Sequence, residues 1–162
     1  MSRIWVAVLA AGLLAQLAAA AKAPDSGIEF ESAWVRALPP FQPTTAGYLT
    51  FVNRGEIAVA IVGASANIAD KVELHTTRMV DGLMRMEELQ GLAVAPGERV
   101  QFAPGGTHLM LLGLTYMPAP GDDVRLCLRL ASGAEACTAA EVRSSGTGPG
   151  AQKPEHHHPT EE

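Results

Sequence analysis

Between Gly27 and Arg143 the sequence is cut into short apolar runs by Gly, Pro, Asn and Asp turn signals, and no run sustains the 3.6-residue period of a helix. The turns fall at Pro39-Pro40, Asn53-Arg54-Gly55, Asp81-Gly82, Pro96-Gly97, Pro104-Gly105-Gly106, Pro120-Gly121 and Ser132-Gly133. The runs between them, rich in Val, Leu, Ile, Thr and aromatics, predict strands near 28–36, 46–52, 58–64, 72–79, 83–89, 99–102, 107–114, 123–130 and 135–142. The stretch 65–70 has room for one turn of helix. Eight or nine short strands at this spacing predict an all-β chain, an antiparallel β-sandwich of the immunoglobulin-like or cupredoxin-like kind.

Both ends differ from this middle. Arg3 followed by the apolar run 4–17 and the small residues of 18–23 has the plan of a secretory signal, too short and too Ala-rich for a comfortable membrane span. Cleavage after Ala21 is favoured, because Pro24 disfavours a cut after Ala23; residues 1–21 are then the signal peptide and 22–143 the folded domain, with no membrane span after cleavage. From Ser144 to Glu162 the composition turns to Gly, Ser, Pro, Gln and charge, ending near His156-His157-His158, which reads as a disordered native tail. A formal charge of −5 with interspersed signs and no Lys/Arg cluster excludes nucleic acid as a natural partner. Export to the periplasm would place Cys127 and Cys137 where disulfides persist.

The chemistry lies in a few soft side chains. Outside the tail there are two histidines, His75 and His108, and outside Met1 there are five methionines, Met79, Met84, Met86, Met110 and Met117, all near one histidine or the other. Thioethers and imidazoles together suit Cu(I), while they offer neither the oxygen shell of Ca²⁺ or Mg²⁺ nor the thiolates of structural zinc. The segment from Met79 to Met84 predicts a hairpin with a two-residue type I′ turn at Asp81-Gly82. Pairing Val80 with Leu83 puts Thr77 opposite Met86 and His75 diagonal to Met86, with Met79 and Met84 on the same side. His108 and Met110, two apart, project from one face of another strand. Folding the sandwich edge over the hairpin would gather His75, Met86, His108 and Met110 into a His₂Met₂ set. Singly, a strand methionine is more often a core filler and a lone histidine a hydrogen-bonded bystander; the argument rests on their co-occurrence.

At these residues the sequence resembles the periplasmic PCuAC copper chaperones, whose signature is His, ten residues, Met, twenty-one residues, His, one residue, Met, matched here without a gap by His75, Met86, His108 and Met110. The flanks are similar too: Val72-Glu-Leu-His-Thr-Thr, Asp81-Gly-Leu-Met-Arg-Met, Pro104-Gly-Gly-Thr-His-Leu-Met, Trp34-Val-Arg-Ala and Tyr48-Leu-Thr-Phe-Val-Asn. The resemblance implies a cupredoxin-like sandwich that holds Cu(I) and passes it to a periplasmic partner, the CuA subunit of cytochrome oxidase or another copper chaperone. It also implies that a His-bearing tail adds a Cu(II) site, here His156, His157 and His158. The cysteines lie outside the signature. A three-residue loop at Ala131–Gly133 would set Cys127 opposite Cys137, a two-residue loop would offset them by one, and a structural disulfide is expected.

Other functions fit less well. A blue-copper carrier needs a Cys thiolate with nearby His ligands, and no His follows Cys137 before the tail. The two cysteines lack the Cys-x-x-Cys spacing of a thiol reductase, and no serine stands in a nucleophile elbow. The expected protein is therefore a monomeric, non-enzymatic Cu(I) chaperone. Copper scavenging or storage, and a metal-free immunoglobulin-like interaction module, stand as alternatives.

Overall fold

The computed structural model describes residues 27–144. Ten strands run in chain order: β1 (Ile28–Ala37), β2 (Thr44–Asn53), β3 (Val59–Ala66), β4 (Ala69–Val80), β5 (Leu83–Glu88), β6 (Leu92–Val94), β7 (Arg99–Phe102), β8 (His108–Leu114), β9 (Val124–Leu130) and β10 (Glu135–Ser144). The nine strands expected from the sequence are all present, and the short β6 is added. No helix among the described residues is long and apolar enough to cross a membrane.

The strands follow the order β5-β4-β8-β2-β1-β10-β9-β3-β6, and the further pairing of Ala64 with Val72 joins β3 back to β4 and closes the sheet. Closure leaves few open edges. Inside lie Val35, Leu49, Phe51, Ile61, Leu109, Leu111, Leu126 and Leu128, all essentially inaccessible to solvent. The alternation of each strand supplies them: Leu109 and Leu111 point inward from β8, so His108 and Met110 face the other way.

Three expectations are corrected. β1 and β10 pair in parallel, from Trp34 with Glu141 to Ala37 with Ser144, so the sheet is not wholly antiparallel. A parallel pair cannot be joined by a hairpin, but the first and last strands of the fold need no connection to each other. Ser144 accordingly belongs to β10 and not to the tail. The segment 65–70 holds no helical turn, because Asn67 replaces a strand residue: its amide nitrogen donates to the Asp123 carbonyl and its amide oxygen accepts from the Arg125 N–H. The expected signal peptide and most of the expected tail lie outside the described residues.

One irregularity shapes the site. β1 and β2 shift register between Glu31 and Trp34, where Ser32 takes a φ of 50°. The extra residue of this bulge moves the following side chains to the opposite faces, so Val35 enters the core while Trp34 pairs with Tyr48 on the outer side.

Candidate metal centre

The predicted hairpin forms as the sequence reads. Val80 pairs with Leu83, Met79 with Met84 and Thr77 with Met86, around a turn in which Asp81 and Gly82 both have positive φ, 51° and 77°. The route by which the histidines meet is simpler than folding an edge over this hairpin. β8 is hydrogen-bonded alongside β4, and His75 stands directly opposite His108, their ring centroids 6.0 Å apart. Met110, two residues along β8, is the register partner of Glu73 on β4 and of Ala46 on β2. Directly opposed residues share a face, so His75, His108, Met110 and Met86 all lie on one side of the β5-β4-β8 surface. Met86 is the outlying member: it is exposed and diagonal to His75.

Each imidazole is held through one nitrogen and presents the other. His108, 5% exposed, has Nδ1 2.9 Å from the carbonyl oxygen of Gly106. That acceptor demands Nδ1–H, which leaves the lone pair on Nε2. His75 is arranged the opposite way, with Nε2 2.8 Å from Oε2 of Glu73. Its Nδ1 is buried and has no hydrogen-bond partner, a costly state for a polar atom unless something fills it. An imidazole that donates one N–H to a carboxylate or carbonyl while offering the other nitrogen is how histidines commonly meet metals.

Glu73 is a residue the sequence reading missed, although its position two before His75 on a strand already placed it on the same face. Its carboxyl is held below the ordinary carboxylate range by a hydrogen bond from Lys71 and then by the one with His75. Also missed were Tyr48 and Trp34, which were read only as flanking text. The row His75, His108, Tyr48, Trp34 crosses β4, β8, β2 and β1, with ring centroids 6.0, 6.5 and 4.3 Å apart in that order. Arg36 lies over the Tyr48 ring and Arg143 over Trp34, each 5.4 Å from the centroid. Burial raises the Tyr48 hydroxyl above its ordinary pKa, with Arg36 opposing in part. Tyr48, itself buried, is the neighbour of His108 on the side away from His75.

Among the described residues no three of His, Cys, Asp and Glu gather as a metal site. What this face offers is two imidazoles and thioethers, a soft donor set. The cysteines are not part of it: Cys127 and Cys137 are joined in a disulfide directly across β9 and β10, with the three-residue loop Ala131–Gly133 setting them opposite each other. His156, His157 and His158 lie outside the described residues.

Comparison with known proteins agrees with this architecture. Among solved structures, the copper-bound PCuAC domain from PmoF2 superposes with a TM-score of 0.60 at 22% identity, covering 74% of this chain and 94% of that domain. The Cu(I) form of DR1885 from Deinococcus radiodurans is 31% identical, with a TM-score of 0.56 over 80% of this chain and 85% of its own. Its apo form has a TM-score of 0.59 at 27% identity, over 90% of this chain and 97% of its own. The "Putative lipoprotein Lxx21020" of Leifsonia xyli subsp. xyli is 30% identical over 136 residues, 82% of this chain and 81% of that protein. The fold is thus the cupredoxin-like fold of PCuAC domains. Residues 28–142 match the family described as "Putative lipoprotein LpqE-like", and the chain belongs to this PCuAC-type, LpqE-like family.

Proposed function

We propose that this protein is a Cu(I) carrier of the cell envelope, holding one ion between His75 Nδ1 and His108 Nε2 with thioether ligation from Met110 and Met86. The observation that carries the reading is the unpartnered, buried Nδ1 of His75, on a ring set directly opposite His108. A cation there satisfies the orphaned lone pair, and neutral imidazoles with thioethers suit Cu(I). The copper-bound PmoF2 domain and Cu(I) DR1885 support the choice of metal.

The burial pattern divides the labour. The histidines are tethered by Glu73 and by the Gly106 carbonyl and act as anchors. Met86 stands in solvent, so its thioether is the ligand an acceptor displaces first, with the half-buried Met110 following. Transfer is then stepwise ligand exchange without covalent catalysis. The destination is a copper protein outside the cytoplasm, such as the CuA subunit of cytochrome oxidase or another chaperone, met by a monomeric, exported domain. The tail histidines His156, His157 and His158 form a separate Cu(II)-type site, a reading that rests on the sequence alone. Both cysteines stand in the Cys127–Cys137 bridge, so neither is a copper thiolate.

The test is an anaerobic Cu(I) titration against a chromophoric chelator, with the wild-type chain beside H108A/M110A. One tight equivalent that is lost in the variant supports the carrier. Absence of competitive binding in the wild type overturns it and leaves a metal-free interaction domain.

A further inference from the structure

The β4–β5 hairpin carries three methionines that stand largely in solvent. Met79, Met84 and Met86 are 64%, 59% and 55% exposed, whereas a methionine kept as a flexible filler lies in the core. Met79 is directly opposite Met84, and Met86 follows Met84 by two residues on the same face, diagonal to Met79. Directly opposed strand residues hold their Cβ atoms about 5 Å apart and diagonal ones about 7 Å, distances that long, unbranched side chains close onto a single ion. Met86 is also diagonal to His75, so it stands between the exposed pair and the histidines. The hairpin's other face is charged, with Arg78 opposite Arg85 and an ion pair from Arg78 to Glu87. On the sulfur-bearing face Met79 pairs with Met84 and Thr77 with Met86, and the next β5 residue on it is Glu88, opposite His75.

We infer that Met79 and Met84, sharing Met86 with the inner ligands, form an outer Cu(I) entry site. The inference rests on the carrier function proposed above and adds to it a second, weaker metal site and a path. Copper arrives as Cu(I) and leaves as Cu(I). At Met86 the thioether–copper bonds to Met79 and Met84 break as the bond forms to His75 Nδ1, the buried nitrogen that has no hydrogen-bond partner. Holding the ion one residue pair from the inner ligands raises its effective concentration there, so the benefit appears in the loading rate and not in the final affinity.

The test uses the full chain with methyl-¹³C methionine, titrated anaerobically with Cu(I), beside M79L/M84L, which keeps the apolar surface and removes the sulfurs. Site-resolved methyl signals separate this face from copper captured by the tail histidines. The expected result is that the first equivalent moves Met86 and Met110 and the second moves Met79 and Met84. M79L/M84L should keep the first equivalent at unchanged affinity, lose the second at this face, and load about tenfold more slowly from a chelator. Met79 and Met84 signals that stay still through two equivalents, with M79L/M84L loading at the wild-type rate, would overturn the inference while the tight first equivalent leaves the carrier reading standing. If the wild type binds no first equivalent, both fall together.

Discussion

Glu73 is the most informative residue to change, because it acts on the proposed copper ligand His75 from one atom away and need not touch the ion. Its Oε2 lies 2.8 Å from His75 Nε2, which fixes the ring with Nδ1 as the free nitrogen. A hydrogen bond to a charged partner contributes about 1.5–3 kcal/mol and a neutral one about 1 kcal/mol. Glu73→Gln keeps an acceptor oxygen but loses the charge, so it should weaken Cu(I) binding by about 1 kcal/mol, roughly fivefold. Glu73→Ala removes the tether and should cost about 10–100-fold, the usual loss when a histidine ligand's supporting carboxylate is deleted. Lys71 also bonds Glu73, through Oε1, and is a control: Lys71→Met leaves the contact with His75 intact and should change affinity less than about twofold. Anaerobic competition with a chromophoric chelator at neutral pH measures all three. Wild-type affinity in Glu73→Ala would refute the argument that this carboxylate orients His75.

The remaining expectations concern stability. Removing the Cys127–Cys137 bridge, which spans a sequence separation of 10, frees loop entropy worth about 2.7 kcal/mol in the unfolded chain; C127A/C137A should melt about 10 °C lower by circular dichroism, and an unchanged melting point would count against it. Asn53 is fully buried and its amide nitrogen lies within hydrogen-bonding distance of the carbonyls of Ile57, Val94 and Ala95, so Asn53→Ala should cost about 2–4 kcal/mol in urea unfolding. A cost below about 0.5 kcal/mol would mean that water replaces the amide. The depressed pKa of Glu73 means its contribution is fully present above the ordinary carboxylate range and is lost as pH falls through the native value. Melting temperature of the apo protein should therefore decline with acid less steeply in Glu73→Gln than in the wild type; parallel curves would show that the Lys71 and His75 contacts do not stabilise the fold.

Local signals in the sequence were read well because they act locally. Asp81-Gly82 between two alternating runs demands a turn with positive φ at both positions, and the register from Val80–Leu83 to Thr77–Met86 follows from that turn alone. For the loop after Leu130 the sequence left two lengths open, and the pairing of β9 with β10 selects the three-residue one, which sets Cys127 opposite Cys137. The segment 65–70 was misread because the stabilising partner of Asn67 is the backbone around Asp123 to Arg125, on a strand remote in sequence. Trp34 went unplaced for a related reason: strand periodicity carried on from Ile28 and Phe30 points it into the core, and only the bulge after Glu31 turns it out towards Tyr48.

The sequence by itself determined the all-β class, the turns, the hairpin register and which strand positions carry the four soft side chains proposed as ligands, since each depends on period, φ preference or residue type within a few positions. The tertiary structure decided that β8 lies against β4 with His108 opposite His75, that β1 and β10 close the sheet in parallel, and which nitrogen each imidazole offers. Neighbouring strands are chosen by burying one shared core, and a tautomer by the acceptor that packing brings to the ring. Both depend on contacts between residues far apart in the chain, which no local pattern records.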